Sequence, residues 1–154
     1  MGSPANMNPR IVEGLYCEAL VLSDEVRQAF TLSGRMEAVA GEEDAASIAL
    51  SCEALRTTTR MMHSVAWLLN HRAFFNGELS EFQLRRHGKL IDFPEGDPQR
   101  LALLDPEIRA LVLATERFHA RLKRIDRGWR ERDNAAPGAI ANLRDRLGTR
   151  LPRS

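Results

Sequence analysis

Ile48-Ala-Leu-Ser-Cys52-Glu-Ala-Leu55-Arg-Thr-Thr-Thr59-Arg-Met-Met62-His-Ser-Val-Ala66-Trp-Leu-Leu69-Asn-His-Arg-Ala73 places an apolar or small residue at alternating steps of four and three along its whole length. A helix advances about 100° per residue, so residues at that spacing fall on one stripe. Glu42, Glu43 and Asp44 put negative charge at the start of the segment, where the helix dipole favours it, and Gly77 supplies a stop. The stripe is expected to face a core. Its small members Cys52, Thr59, Ala66 and Ala73 would let a neighbouring helix approach closely.

The flanking segments repeat the pattern. Val12, Leu15, Ala19, Leu22, Val26 and Ala29 share a 3-4 spacing after Asn8-Pro9, a capping side chain followed by a proline at the first helical position, and Ser33-Gly34 reads as the stop. Asp105-Pro106 opens a third segment in the same way, with Ile108, Leu111, Thr115, Phe118, Leu122, Ile125 and Trp129 on its stripe. Aromatic residues are only 6% of the chain and no stretch alternates with period two, so strands have little support. The pattern predicts an all-α fold: a three-helix bundle of long helices crossing at shallow angles.

Residues 78–104 form a connection too long for a plain bundle loop, so it is expected to be partly helical. Ser80-Glu-Phe-Gln83 reads as a capping box opening a turn of helix that Gly88 closes, and Phe93-Pro94-Glu-Gly-Asp97-Pro98 as a turn-rich break. Ala135-Ala-Pro-Gly138 is expected to break the third helix, beyond which Ile140, Leu143, Leu147 and Leu151 recur at helical spacing. The organisation expected is an N-terminal arm (1–8), a helical bundle (9–132) and a C-terminal tail (133–154), flexible or a short amphipathic helix.

The 154 residues suit one domain, and 44% hydrophobic with 28% charged residues is the balance of a soluble protein. No apolar run has membrane-span length and the N-terminus lacks a secretory apolar stretch, so no membrane association is expected. Two cysteines suit a reducing cytoplasm. The formal charge is only +1, but residues 1–104 carry −4 and residues 105–154 carry +5, an asymmetry that can attract partners of opposite sign.

Chemistry is sparsely signposted. There is no Gly-rich phosphate loop, no Cys-x-x-Cys and no His-Glu-x-x-His, and His63, His71, His87 and His119 include no pair three or four apart. Neither metal nor cofactor is called for. Cys17 and Cys52 read as small apolar side chains. Glu18, Glu53 and Asp24 read as ion-pair partners of Arg27, Arg56 or Arg60 rather than as a catalytic pair. The reading is not that of an enzyme.

Surplus apolar surface is more telling. Met61, Trp67, Leu68, Phe74 and Phe75 lie off the stripe of the second helix, which is therefore apolar nearly all round and must be covered on several sides. The covers expected are the connection, with Phe82, Leu84, Leu90, Ile91 and Phe93, and a second copy of the chain, making a homodimer. Glu53, Arg56, Thr57, Arg60, Ser64 and His71 are expected to point away from the core. With Ser23, Asp24 and Arg27 from the first helix, Glu53, Arg56, Thr57 and Arg60 make a candidate partner-binding surface.

Leu15-Tyr-Cys-Glu-Ala-Leu-Val-Leu-Ser-Asp-Glu-Val-Arg-Gln-Ala-Phe30 and Ser51-Cys-Glu-Ala-Leu-Arg-Thr-Thr-Thr-Arg-Met-Met-His-Ser-Val-Ala-Trp-Leu-Leu69, continuing to Gly77-Glu78, resemble the alphaproteobacterial DUF1465 family, whose named member is the regulator of CtrA degradation. The likeness extends more loosely through Leu84–Asp126. It implies a dimeric three-helix bundle without catalytic activity. It also implies an adaptor that joins ClpX of the ClpXP protease, primed by a response-regulator-like protein, and delivers cargo transcription regulators during the cell cycle. A flexible tail that matters for delivery is implied too. Such a protein works by raising the effective concentration of cargo at the protease.

The competing reading is a small dimeric DNA-associated regulator, supported by Arg117, Arg121, Lys123, Arg124, Arg127, Arg130 and Arg132. No short turn joins two helices in helix-turn-helix fashion, and Glu116, Asp126, Glu131 and Asp133 dilute the charge, so nucleic acid is the weaker expectation. A third reading, an enzyme with a spatially assembled site, would need a deep pocket with perturbed groups.

Overall fold

The computed structural model describes residues 7–40 and 44–148, with side chains described except at 37–40, 133–142 and 145. Five helices follow one another: α1 (Pro9–Ala40), α2 (Ala45–Phe75), α3 (Glu81–His87), α4 (Pro98–Ala102) and α5 (Pro106–Gly148). Three are long and two are short turns within the connection, which is the all-α bundle the periodicity predicts. There are no strands among the described residues.

The helix starts are set by their caps. Asn8 Oδ1 accepts from the Ile11 amide at 3.0 Å, and Asp44 Oδ1 accepts from Ser47 at 2.9 Å. Ser80 and Gln83 form the reciprocal capping box of α3, and Asp97 with Pro98 opens α4. Gly77, with φ 79°, carries the left-handed turn that ends α2. Gly88 closes α3 by close approach: a Cβ there would lie 2.4 Å from the Leu84 carbonyl oxygen.

Two expected stops do not stop their helices. α1 runs through Ser33-Gly34 to Ala40, since a helical glycine costs only about 1 kcal/mol relative to alanine. α5 continues through Ala135-Ala-Pro-Gly138 to Gly148; a proline there costs about 3 kcal/mol but the surrounding alanines are the strongest helix formers. Glu42 and Glu43, most of the N-terminal arm, Leu151 and the Ile140 side chain lie outside the described residues.

The core has two parts. Val12, Leu15, Ala19, Met61, Trp67, Leu68, Leu90, Phe118 and Leu122 form the larger, and Ala49, Leu50, Leu104, Ile108 and Val112 the smaller. The expected stripes of α1 and α5 supply much of it. In α2 the expectation is inverted. Ile48, Leu55, Met62 and Leu69, the large members of the quoted stripe, are 62%, 71%, 66% and 44% exposed, while Glu53, Thr57, Arg60, Ser64 and His71 are buried. Periodicity locates apolar residues but does not register polar groups that find partners far along the chain, as Arg60 does on α5 and Glu53 does with Arg100 of α4. Met61, Trp67 and Leu68 are buried within the chain itself, and Phe74 and Phe75 are half-buried with their rings 5.2 Å apart.

Candidate functional site

The α2–α5 interface is a seam of buried polar groups. Arg60, 1% exposed, donates to Thr115 Oγ1 at 2.9 Å and pairs with Glu116 at 3.5 Å. Burial lowers its pKa from the usual arginine value, against the raising effect of Glu116. Further along, Trp67 Nε1 donates to Asp126 Oδ1 at 3.1 Å, and Arg130 Nε holds the same carboxylate at 3.1 Å. Glu53 is fully buried, with Arg56 and Arg100 nitrogens at 3.6 and 3.7 Å. His71 lies against Trp67, ring centres 4.1 Å apart, with Trp129 edge-on at 5.6 Å. Burial drives its pKa down to about 4, outweighing the nearby Asp126 carboxylate.

Residues 85–94 cross this seam as a strap and are held largely through their backbone. Arg56 donates to the Pro94 carbonyl (2.8 Å), Lys123 to that of Leu90 (2.9 Å) and Arg130 to that of Arg85 (3.0 Å). His119 Nε2 meets the Ile91 carbonyl at 3.1 Å, and the Leu90 amide donates to Asp126 at 3.4 Å. Lys123 also pairs with Asp92 at 2.8 Å, which holds that carboxyl below its usual range. Leu84 and Leu90 insert beneath, and Phe93 sits between His63 and His119, ring centres 5.5 and 5.3 Å away.

The expected partner surface is therefore divided. Glu53, Thr57 and Arg60 are buried and cannot contact a partner without unfolding the bundle; Arg60 serves the α2–α5 contact, Glu53 faces Arg56 and Arg100 without a hydrogen bond, and the Thr57 hydroxyl has no hydrogen-bond partner among the described residues. Arg56 is half-buried and engaged with Pro94. Ser23 is half-buried, while Asp24 and Arg27 are exposed and paired with each other at 2.7 Å. Glu18 pairs with Arg121 rather than with an arginine of its own or the second helix. Cys17 is exposed, not buried.

What lies outward instead is the α2 stripe. Ile48, Leu55, Met62 and Leu69 repeat every seven residues, and Met62 and Leu69, with Leu20 of α1, line an open apolar groove of about 600 Å³ between α1 and α2. Its walls include Phe30 and Val65, and Ser23 and Arg27 lie at its rim. The signal for this surface was the heptad repeat itself, assigned to the wrong side of the helix.

The α5 cations do not form one face. Lys123 and Arg130 turn toward the strap, Arg132 donates to the Gly128 carbonyl, and Arg121 turns toward α1. No group of His, Cys, Asp and Glu suited to hold a metal occurs among the described residues, nor a helix long and apolar enough to cross a membrane. A family model described as "Protein of unknown function (DUF1465)" matches residues 3–151. No curated protein and no solved structure matches.

Proposed function

The chain belongs to the DUF1465 family, and from that premise we propose that it is a non-catalytic adaptor: a homodimer that binds cargo regulators and a primed ClpXP protease and promotes regulated proteolysis by tethering. The observation that carries the reading is the outward stripe of Ile48, Leu55, Met62 and Leu69. Four large apolar side chains at heptad spacing on a well-formed helix are the seam of a helix pair that lacks its second helix. A second copy fits because the stripe bears no charge and can meet itself across a two-fold axis. The small residues Cys52, Thr59, Ala66 and Ala73 between them permit close approach. The choice of protease rests on the resemblance to the regulator of CtrA degradation.

The test uses the purified full chain, ClpX and a response-regulator-like priming protein. Retention of ClpX on the immobilised chain, dependent on the priming protein, supports the proposal. No retention above an unrelated helical bundle, with both proteins active, overturns it.

A further inference from the structure

α1 and α5 each pack on α2 but touch one another sparingly. A long furrow is left between them, on the opposite side of α1 from the apolar stripe. Its floor is Val21, Leu22, Ala29 and Leu32 from α1 with Ala114 and Phe118 from α5. Val21 and Leu32 are 61% and 63% exposed. From Cys17 to Met36 the furrow follows α1 for about 29 Å at the ~1.5 Å rise per residue of a helix. That is the berth of the missing member of a four-helix bundle.

The two ends differ in charge. Asp105 and Glu107 line the end toward Met36, Arg117, Arg121 and Arg124 with Glu18 line the end toward Cys17, and Glu25 lies between, bordering both. Arg121 is tied to Glu18 across the mouth and lies over the Phe118 ring, but Arg117 and Arg124 are exposed and have no ion-pair partner among the described residues. A concave furrow cannot pack on its own copy; it needs a ridge. The exposed extension of α5, with Leu143, Leu147, Arg144 and Arg146, is basic and offers no acidic stretch to meet Arg117 and Arg124.

The geometry points to this furrow as the docking site for an amphipathic helix of a different protein, about 20 residues long, with an apolar stripe, acidic residues at one end and basic residues at the other. This deepens the adaptor reading, on which it rests, by stating what kind of segment a partner presents.

The test uses the full chain and two fluorescein-labelled 21-residue peptides of identical composition and identical leucine stripe. In one, the glutamates occupy one half and the lysines the other; in the second they are interleaved. Anisotropy at low salt is expected to give at least tenfold tighter binding of the segregated peptide. Arg117→Glu with Arg124→Glu, both at exposed positions, should erase that preference while circular dichroism stays native. The bound peptide should also slow alkylation of Cys17, with Cys52 in the same digest as the reference. Equal affinity for the two peptides, a preference that survives the double reversal, or equal displacement by nonspecific duplex DNA overturns the inference. ClpX retention is measured on the same samples: retention with equal peptide affinities sinks the furrow and leaves the adaptor, whereas a clear peptide preference without retention does the reverse.

Discussion

Arg60→Glu separates the two faces of α2 most sharply. On an outward helix face, reversing one charge would leave the fold intact. In this structure Arg60 is 1% exposed, so the new carboxylate would sit beside Glu116 and lose the bond to Thr115. Breaking a buried pair by removing one partner costs about 3–5 kcal/mol, because the charge left behind is uncompensated. For a chain of this size each kcal/mol moves Tm by about 2–4 °C, so a fall of roughly 6–20 °C is expected. Arg60→Met isolates the cause. Methionine fills much of the same space, Thr115 keeps its bond to the Val112 carbonyl at 2.7 Å, and the Glu116 side chain is 29% exposed and can be hydrated. The substitution removes one partner of the pair without burying a new charge, so its Tm should fall, but by less than that of Arg60→Glu. Arg27→Glu, in a pair whose side chains are 74% and 53% exposed, should do less than either. The assay is thermal unfolding by far-UV circular dichroism at one protein concentration. An Arg60→Glu variant melting within about 3 °C of the parent would refute the buried seam.

Three further outcomes follow from named contacts. The His71 pKa of about 4, against the usual 6.5, means that the unfolded chain takes up the proton first; the stability it contributes is whole above pH 6.5, falls as pH drops toward 4 and is level below that, a loss of about 2 kcal/mol between pH 7.5 and 5. His119, also lowered by burial, adds to the same slope, and His71→Phe should flatten most of it in urea titrations at the two pH values; an unchanged slope would contradict the assignment. If the outward stripe is the seam of the proposed homodimer, Leu55→Glu with Met62→Glu, both at exposed positions, should leave Tm of the dilute chain intact and reduce the light-scattering mass from twice 17.3 kDa to 17.3 kDa; a parent already at 17.3 kDa, or a mass unaffected by the pair, would refute that seam. Gly88→Ala brings a Cβ within 2.4 Å of the Leu84 carbonyl and should speed amide exchange over residues 85–94 more than over α1, whereas equal protection would show that the strap tolerates the methyl group.

The starts of the helices were legible because each rests on a local signal: Asn8-Pro9, Asp44, the Ser80/Gln83 box and Asp105-Pro106 all act within four residues. Their ends were less so. Gly34 and Pro137 weaken a helix without obliging it to stop, and the flanking residues decide. The stripes of α1 and α5 were readable because each helix has one apolar face. α2 has two candidate faces: the buried set Glu53, Thr57, Arg60, Ser64, Trp67 and His71 keeps the same alternation of four and three but is mostly polar, so reading apolar residues favoured the face that points outward. Thr115, Glu116 and Asp126, which make the other face buriable, lie 55 to 59 residues away from Arg60 and Trp67 along the chain or close to it. No local pattern joins them.

That near-degeneracy gives the polar seam a physical purpose. With two faces of similar apolar content, hydrophobic burial alone does little to choose the rotation of α2 against α5, since the effect has no direction. Hydrogen bonds do. Rotating the stripe of Leu55 and Met62 inward would strip Trp67 Nε1 of Asp126 and Arg60 of Thr115, and would leave Asp126 one donor short. Each buried polar group so orphaned costs about 1–3 kcal/mol, more where it is charged. The strap adds to the penalty, because the Asp126 carboxylate that receives Trp67 also receives the Leu90 amide, and Arg56 on α2 holds the Pro94 carbonyl. Directional contacts of this kind fix one rotation out of two, and the rotation they fix is the one that turns an uncharged heptad stripe to the surface. On this argument the outward stripe is a consequence of the seam: substitutions that weaken the seam while sparing the stripe, such as Asp126→Asn, should lower stability and the dimer mass together.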